Sequence, residues 1–247
     1  MTKQSYIAII AVIVVLFGLF ALISRHPAGT GDDNPTDPGM PPKIQPLPIP
    51  DMTGVNESWN TLISYADGAP IGNPNAEYTL IEIGDFQCPQ CGKARPIIEQ
   101  MLKTSGGKIK IYFVNLPLKM HPHAHYAAIA ALAAANQGKF WPMYNVLYGH
   151  QDELIPSEIQ YFAAQEIPGF NVSRYSTDVT SPALAARVQQ QVAELTTLKI
   201  NTTPTVFVRK TSGGPITWIV GTIDTPDSIG LTHFAANPPW APGAKKI

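Results

Sequence analysis

Two cysteines, Cys88 and Cys91, are the only ones in 247 residues, and they stand three apart in Phe86-Gln87-Cys88-Pro89-Gln90-Cys91. A pair that close cannot staple distant parts of a fold, and a disulfide scaffold spreads more cysteines along its chain. Their chemistry must be local: redox exchange or metal binding. An apolar run precedes the pair, and Pro89 opens a helical pattern at a first-turn position where no donor is lost. The cysteines therefore fall where a strand ends and a helix begins. A helix N-terminus offers unpaired N–H groups and a partial positive charge, which stabilise a thiolate and lower its pKa. Cys88, at the exposed end, is the expected nucleophile. Cys91, one turn later, is placed to attack a mixed disulfide and release the product.

The metal reading needs more donors. A structural zinc takes about four ligands, and no second C-x-x-C exists. Three alternating histidines, His121, His123 and His125, could complete a Cys2His2 site or bind copper. The same residues also read as a solvated loop and helix start, or one of them could lie beside the cysteines and tune them.

The elements that must hold the pair follow from periodicity. Tyr78 to Ile83 reads as a strand, Pro89 to Thr104 as a helix and Ile109 to Leu116 as a second strand. That order implies a right-handed parallel unit. Helical stretches follow at Phe140–Tyr148, Ser157–Gln165 and Ala183–Lys199, after an alanine-rich one from His123 to Gln137. Thr205–Val208 and Ile216–Val220 read as a strand pair joined by Gly213-Gly214-Pro215, and a last helix is expected over Pro226–Ala236. Asn56 to Ala66 reads as a short helix ahead of the first strand. The fold class is α/β, with the order β-α-β, a helical block, then β-β-α.

The amino-terminal quarter is different in kind. Tyr6–Ile23 is uncharged and long enough, at 18 residues, to reach the lower limit of a bilayer span. An uncleaved anchor over residues 1–25 is the reading preferred. A cleaved signal peptide competes, although Ala21-Leu22-Ile23-Ser24-Arg25 is a poor cleavage site. Both export the remainder. Residues 26–55, dense in proline and glycine, read as an extended spacer. The folded domain is expected over 56–240, with a helical insertion at about 118–199.

Net charge is −1 with acids and bases interspersed, so there is no electrostatic footprint for nucleic acid. No glycine-rich phosphate loop appears. No cofactor is called for beyond the two sulfur atoms, and no metal.

Several stretches resemble the DsbA-like thiol–disulfide oxidoreductases, particularly the membrane-tethered kind. They are Gly72-Asn73-Pro74-Asn75-Ala76, Ile83-Gly84-Asp85-Phe86-Gln87-Cys88-Pro89-Gln90-Cys91, Gln137-Gly138-Lys139-Phe140-Trp141 and Thr202-Thr203-Pro204-Thr205. The likeness runs from about Gly72 to Ala236 in matching order. It implies a thioredoxin-like fold interrupted by a helical domain, with Thr203-Pro204 as a cis bond facing the cysteines and binding substrate. Pro204 fits such a role on its own terms, since a proline entering a strand cannot donate to the ladder. Glu82 matches the family's buried acid, and burial would raise its pKa and let it relay protons for Cys91. Asp85 is expected to serve the turn or helix start, and Pro96 to bend the helix. The best-known family member has histidine in place of Gln90, so milder oxidising power is expected here. The resemblance further implies an extracytoplasmic location, exported substrate proteins with free thiols, and a membrane partner of the DsbB or vitamin K epoxide reductase type. A disulfide reductase or isomerase is the first alternative. A copper or zinc carrier using Cys88, Cys91 and His121–His125 is the second.

Overall fold

A computed structural model of the chain describes residues 49–221. The expected anchor over 1–25, the linker as far as residue 48 and the expected helix at Pro226–Ala236 lie outside them. Among the described residues no helix is long and apolar enough to cross a membrane.

In chain order the elements are α1 (Met52–Glu57), α2 (Trp59–Tyr65), β1 (Ile71–Gly72), β2 (Tyr78–Gly84), α3 (Pro89–Thr104), β3 (Ile109–Asn115), α4 (Ala124–Ala135) and α5 (Phe140–Gly149). A 3-10 turn follows at Gln151–Glu153, then α6 (Pro156–Glu166), α7 (Val172–Asp178), α8 (Pro182–Thr197), β4 (Thr205–Lys210) and β5 (Thr217–Val220). The five strands form one sheet in the order β1-β3-β2-β4-β5. β2 and β3 run parallel, joined through α3, and the other pairings are antiparallel.

β2 lies in the middle of the sheet and is buried at all seven positions. Side chains alternate between its two faces. Tyr78 and Leu80 pack with Ile109, Ile111 and Val206 against Ala94, Ile98 and Met101 of α3. Ile81 and Ile83 pack with Val114 and Phe207 on the other face, against Val55, Trp59 and Leu62 of α1 and α2 and Leu195 of α8. Parity then sends Glu82 to the α3 face. The alanines of α4 let it sit close to its neighbours, and Ala127, Ala130, Ala131 and Ala134 join a third cluster with Phe86, Phe113, Tyr144 and Leu147.

The structure departs from the sequence expectations in four places. The spacer expected over 26–55 overruns its end: Asp51 caps α1 by accepting from the Gly54 N–H at 3.2 Å, and Val55 is buried. The chemistry that starts this helix, an aspartate cap without a long apolar period, is too short to stand out beside the prolines. The single helix expected at Asn56–Ala66 is two, breaking at Ser58. β1 is only two residues long and α7 only seven, each below the length at which a period shows.

Candidate active site

β2 ends at Gly84 and α3 begins at Pro89, so residues 85–88 form the turn that carries the chemistry. A Cβ at Gly84 would lie 2.5 Å from the Phe113 ring and 2.9 Å from the Tyr148 hydroxyl; only glycine lets the aromatic side chains close over the strand end. Asp85 builds the turn. Its fully buried carboxylate accepts from the Gln87 N–H at 2.8 Å, the Leu118 N–H at 2.8 Å and His121 Nδ1 at 2.7 Å. Gln87 in turn accepts the His123 N–H at 2.7 Å. The loop after β3 is thereby tied to the turn on both sides of Phe86.

Cys88 is the N-cap of α3 and Cys91 lies in its first turn; both are free thiols, the first 6% exposed and the second wholly buried. The Cys88 thiol donates to the Thr203 carbonyl at 3.5 Å. That carbonyl belongs to a cis Thr203-Pro204 bond at the entrance to β4. The sequence-predicted Cys88, Cys91, Thr203 and Pro204 are thus brought together by the ends of three elements.

The two thiols titrate in opposite directions. Cys88 is lowered from 9.0 to about 5, first by the hydrogen bond from the Cys91 thiol, then, against the cost of burial, by Thr203 and by the N–H groups of Cys91 and Gln90. A carbonyl cannot donate, so the help from Thr203 comes from its hydroxyl. Thr203 Oγ1 is buried without a partner among the described residues and is available to turn its proton to a thiolate. Cys91 is pushed well above 9.0 by burial, then by its bond to Cys88 and the charges of Cys88 and Glu82. Residue 90 contributes to the lowering through its backbone N–H.

Glu82 is fully buried, opposite Phe113 on β3 and Val206 on β4. Burial raises it from 4.5 to about 8, with the Tyr144 hydroxyl opposing. That hydroxyl donates to both carboxylate oxygens at 3.3 and 3.2 Å. Tyr144 and Tyr148, one turn apart on α5, close an aromatic wall with Phe86 and Phe113. Neither tyrosine was singled out by sequence reasoning. The four-residue spacing of Phe140, Tyr144 and Tyr148 marks a helix face, but nothing in the spacing says that the face meets an acid. Pro96 lies inside α3, where its missing N–H leaves the Gly92 carbonyl without its helical donor.

His121, His123 and His125 do not join the cysteines. His121 is engaged with Asp85, and among the described residues no three His, Cys, Asp or Glu side chains come together as a donor set.

A dithiol at a helix start, a buried acid on the adjoining strand and a cis-proline loop facing the outer sulfur form a centre for thiol–disulfide exchange. The sequence profile of the thioredoxin family matches residues 65–218, more than half of the chain. The chain belongs to the thioredoxin family. Among solved structures of that fold it is similar to a thioredoxin-like oxidoreductase from Silicibacter pomeroyi DSS-3, with a TM-score of 0.58 and 22% identity, covering 72% of this chain and 96% of that one. It is similar also to the thiol-disulfide exchange protein alpha-DsbA2 from Wolbachia pipientis, with a TM-score of 0.61 and 17% identity, covering 75% and 92%. By sequence it resembles part of the Na(+)/H(+) antiporter NhaA 3 of Salinispora tropica, 36% identical over 138 residues, which are 56% of this chain. The match spans about a fifth of that relative's length, 21%.

Proposed function

We propose that this thioredoxin-family protein is an extracytoplasmic thiol–disulfide oxidoreductase that forms disulfides in exported proteins through Cys88 and Cys91. The observation that carries the reading is the pair of opposed thiols, Cys88 lowered to about 5 and Cys91 raised. Stabilising the Cys88 thiolate stabilises the reduced enzyme relative to its disulfide, and so makes the disulfide an oxidant. A substrate thiolate attacks Cys88 Sγ, the Cys88–Cys91 bond breaks, and Cys91 leaves. Its thiolate is costly in a buried site, and Glu82, whose charge acts on Cys91, would supply a proton. A second substrate thiolate then attacks the substrate sulfur of the mixed disulfide. The substrate disulfide forms, and Cys88 departs as the thiolate with two electrons now on the enzyme. Thr203 and Pro204 would hold the extended substrate segment, whose backbone can pair with the Thr203 carbonyl as an added strand does.

The exported location rests on the Tyr6–Ile23 run and the proline-rich residues after it. A membrane partner of the DsbB or vitamin K epoxide reductase type would remove the electrons, and that part of the reading rests on the family resemblance. The reduction potential of the Cys88–Cys91 pair tests the proposal. A value of about −120 to −180 mV supports an oxidase or isomerase, while one of about −270 mV would turn the reading to a reductase. Cys88→Ser should abolish exchange, and Cys91→Ser should accumulate mixed disulfides with substrate. Full exchange activity without Cys88 would end the proposal.

A further inference from the structure

Gln151 opens the 3-10 turn between α5 and α6, far in sequence from the cysteines. Its side-chain amide reaches the turn that carries them. Nε2 donates to the Phe86 carbonyl at 2.7 Å and to the Cys88 carbonyl at 3.0 Å. Those two carbonyls bracket the Gln87–Cys88 segment. The Cys88 carbonyl also accepts from the N–H groups of Cys91 at 3.1 Å and Gly92 at 3.2 Å. Three donors thus fix the peptide plane that follows the outer cysteine.

A second observation, independent of the hydrogen bonds, concerns Gly92. Glycine is the poorest helix former after proline, yet it occupies the first turn and a half of α3 with ordinary helical backbone. A Cβ there would stand 2.1 Å from Gln151 Oε1 and 2.8 Å from its Cδ. The missing side chain is the space in which the amide lies. With Oε1 turned to Gly92, both amide hydrogens face carbonyl oxygens, the orientation the two acceptors require.

We propose that Gln151, seated by Gly92, is a positioning residue for thiol–disulfide exchange at Cys88. The inference rests on the oxidoreductase reading of the same site. The mechanism is geometric. The N–H groups of Gln90 and Cys91 aim at Cys88 Sγ only while the Cys88 peptide plane is held. The same constraint keeps Sγ against the Thr203 loop on its other side. Releasing the amide lets the plane turn and weakens the donors at the sulfur. The helical layer therefore acts on the reaction through a single side chain, without touching the substrate.

The test uses the full chain with Gln151→Ala, Gly92→Ala and the double variant. The alkylation pKa of Cys88 and its equilibrium with glutathione are measured beside thermal midpoints. Each single substitution should raise the Cys88 pKa by about one unit, about tenfold in thiolate equilibrium, and make the disulfide a weaker oxidant. The double variant should match Gln151→Ala alone, because Gly92→Ala acts by displacing an amide that is no longer there. Gly92→Ala changes the better helix former into the chain, so a shifted thiol pKa with an unimpaired thermal midpoint separates positioning from folding. A reactive parental Cys88 that is unchanged in both single variants overturns the inference alone. Additive effects in the double variant overturn the role given to Gly92. An unreactive parental Cys88 would instead remove the oxidoreductase reading beneath it.

Discussion

Glu82 and Asp67 are both buried carboxyl groups, and burial pushes both up to about 8, yet their surroundings differ. Asp67 follows α2. It accepts from Gln191 Nε2 on α8 at 2.7 Å and from Asn115 Nδ2 at the end of β3, with Arg187 Nε 3.8 Å away. All three present donors to Asp67, although each amide also carries a buried oxygen without a partner among the described residues. Burial outweighs these donors and favours the protonated acid, and the cluster ties the segment after α2 to β3 and α8. Glu82 has Tyr144, whose hydroxyl can donate or accept. It keeps its bond in either protonation state. A buried acid surrounded by fixed donors is a joint. One with an ambivalent partner, whose charge acts on Cys91, suits the proton exchange proposed above.

Removing the joint should have the largest effect. Asp67→Ala takes their acceptor from the Gln191 and Asn115 amides, and a buried donor left unsatisfied costs about 1–3 kcal/mol. Chemical denaturation should show that loss, while exchange activity per folded molecule stays near the parent's. Unchanged stability, or activity lost in a fully folded variant, would dissolve the distinction between the two acids.

Glu82→Gln should do the reverse. The fold survives, and the step in which Cys91 gains or loses its proton slows by about 100-fold, the scale of a lost general acid–base group. In the parent that step should follow a titration centred at about 8; in the variant it should be flat. Stability carries its own sign. The folded value of Glu82 lies above its ordinary 4.5, so the folded state binds the proton more tightly. The resulting stabilisation is complete below about 4.5 and is lost as pH rises through about 8. Asp67 adds a slope of the same sign, so the difference between parent and variant reports Glu82. A variant with the parent's pH-dependent slope in both rate and stability would leave Glu82 without a proton to exchange.

How much of this was legible differs between the same regions. The strand-to-helix junction at Cys88 could be read because proline, spacing and an apolar run all speak locally. Glu82 could be suspected, since a charge inside Tyr78–Ile83 interrupts a buried strand. Its partner could not, because Tyr144 is 62 residues away and nothing in the α5 pattern selects the sheet over solvent. Asp67 lies in a loop, where aspartate is ordinary, and its three partners come from β3 and α8. Asp85 was read as a turn former, and it is one, but its reach to Leu118 and His121 depends on where the chain goes after β3. Alternation and capping are written into neighbouring residues. The meeting of α5 with β2 is decided by the packed core and appears only once the layers are assembled.

Tyr144→Phe gives the smallest of the three effects and the finest test. The ring stays, so the edge contact with Phe113 at 5.4 Å between centroids and the one with Tyr148 at 4.7 Å are kept. Only the hydroxyl goes, and with it the bond that holds the Glu82 pKa down against burial. A hydrogen bond to a charged group contributes about 1.5–3 kcal/mol, which is about one to two pKa units. The titration of the Cys91 proton-transfer step should therefore move upward by about one unit. In the reverse half-reaction, where Cys91 must give its proton to ionised Glu82, the rate near neutral pH drops by up to about tenfold, and raising the pH restores it. That recovery separates Tyr144→Phe from Glu82→Gln, which no pH should rescue. Tyr148→Phe is the control on the same helix face: its hydroxyl is buried without a partner among the described residues, so its loss should leave the titration in place and stability equal or higher. If Tyr144→Phe leaves the midpoint where it was, the hydroxyl does not hold the Glu82 pKa down, and Glu82 becomes a buried acid governed by its burial alone.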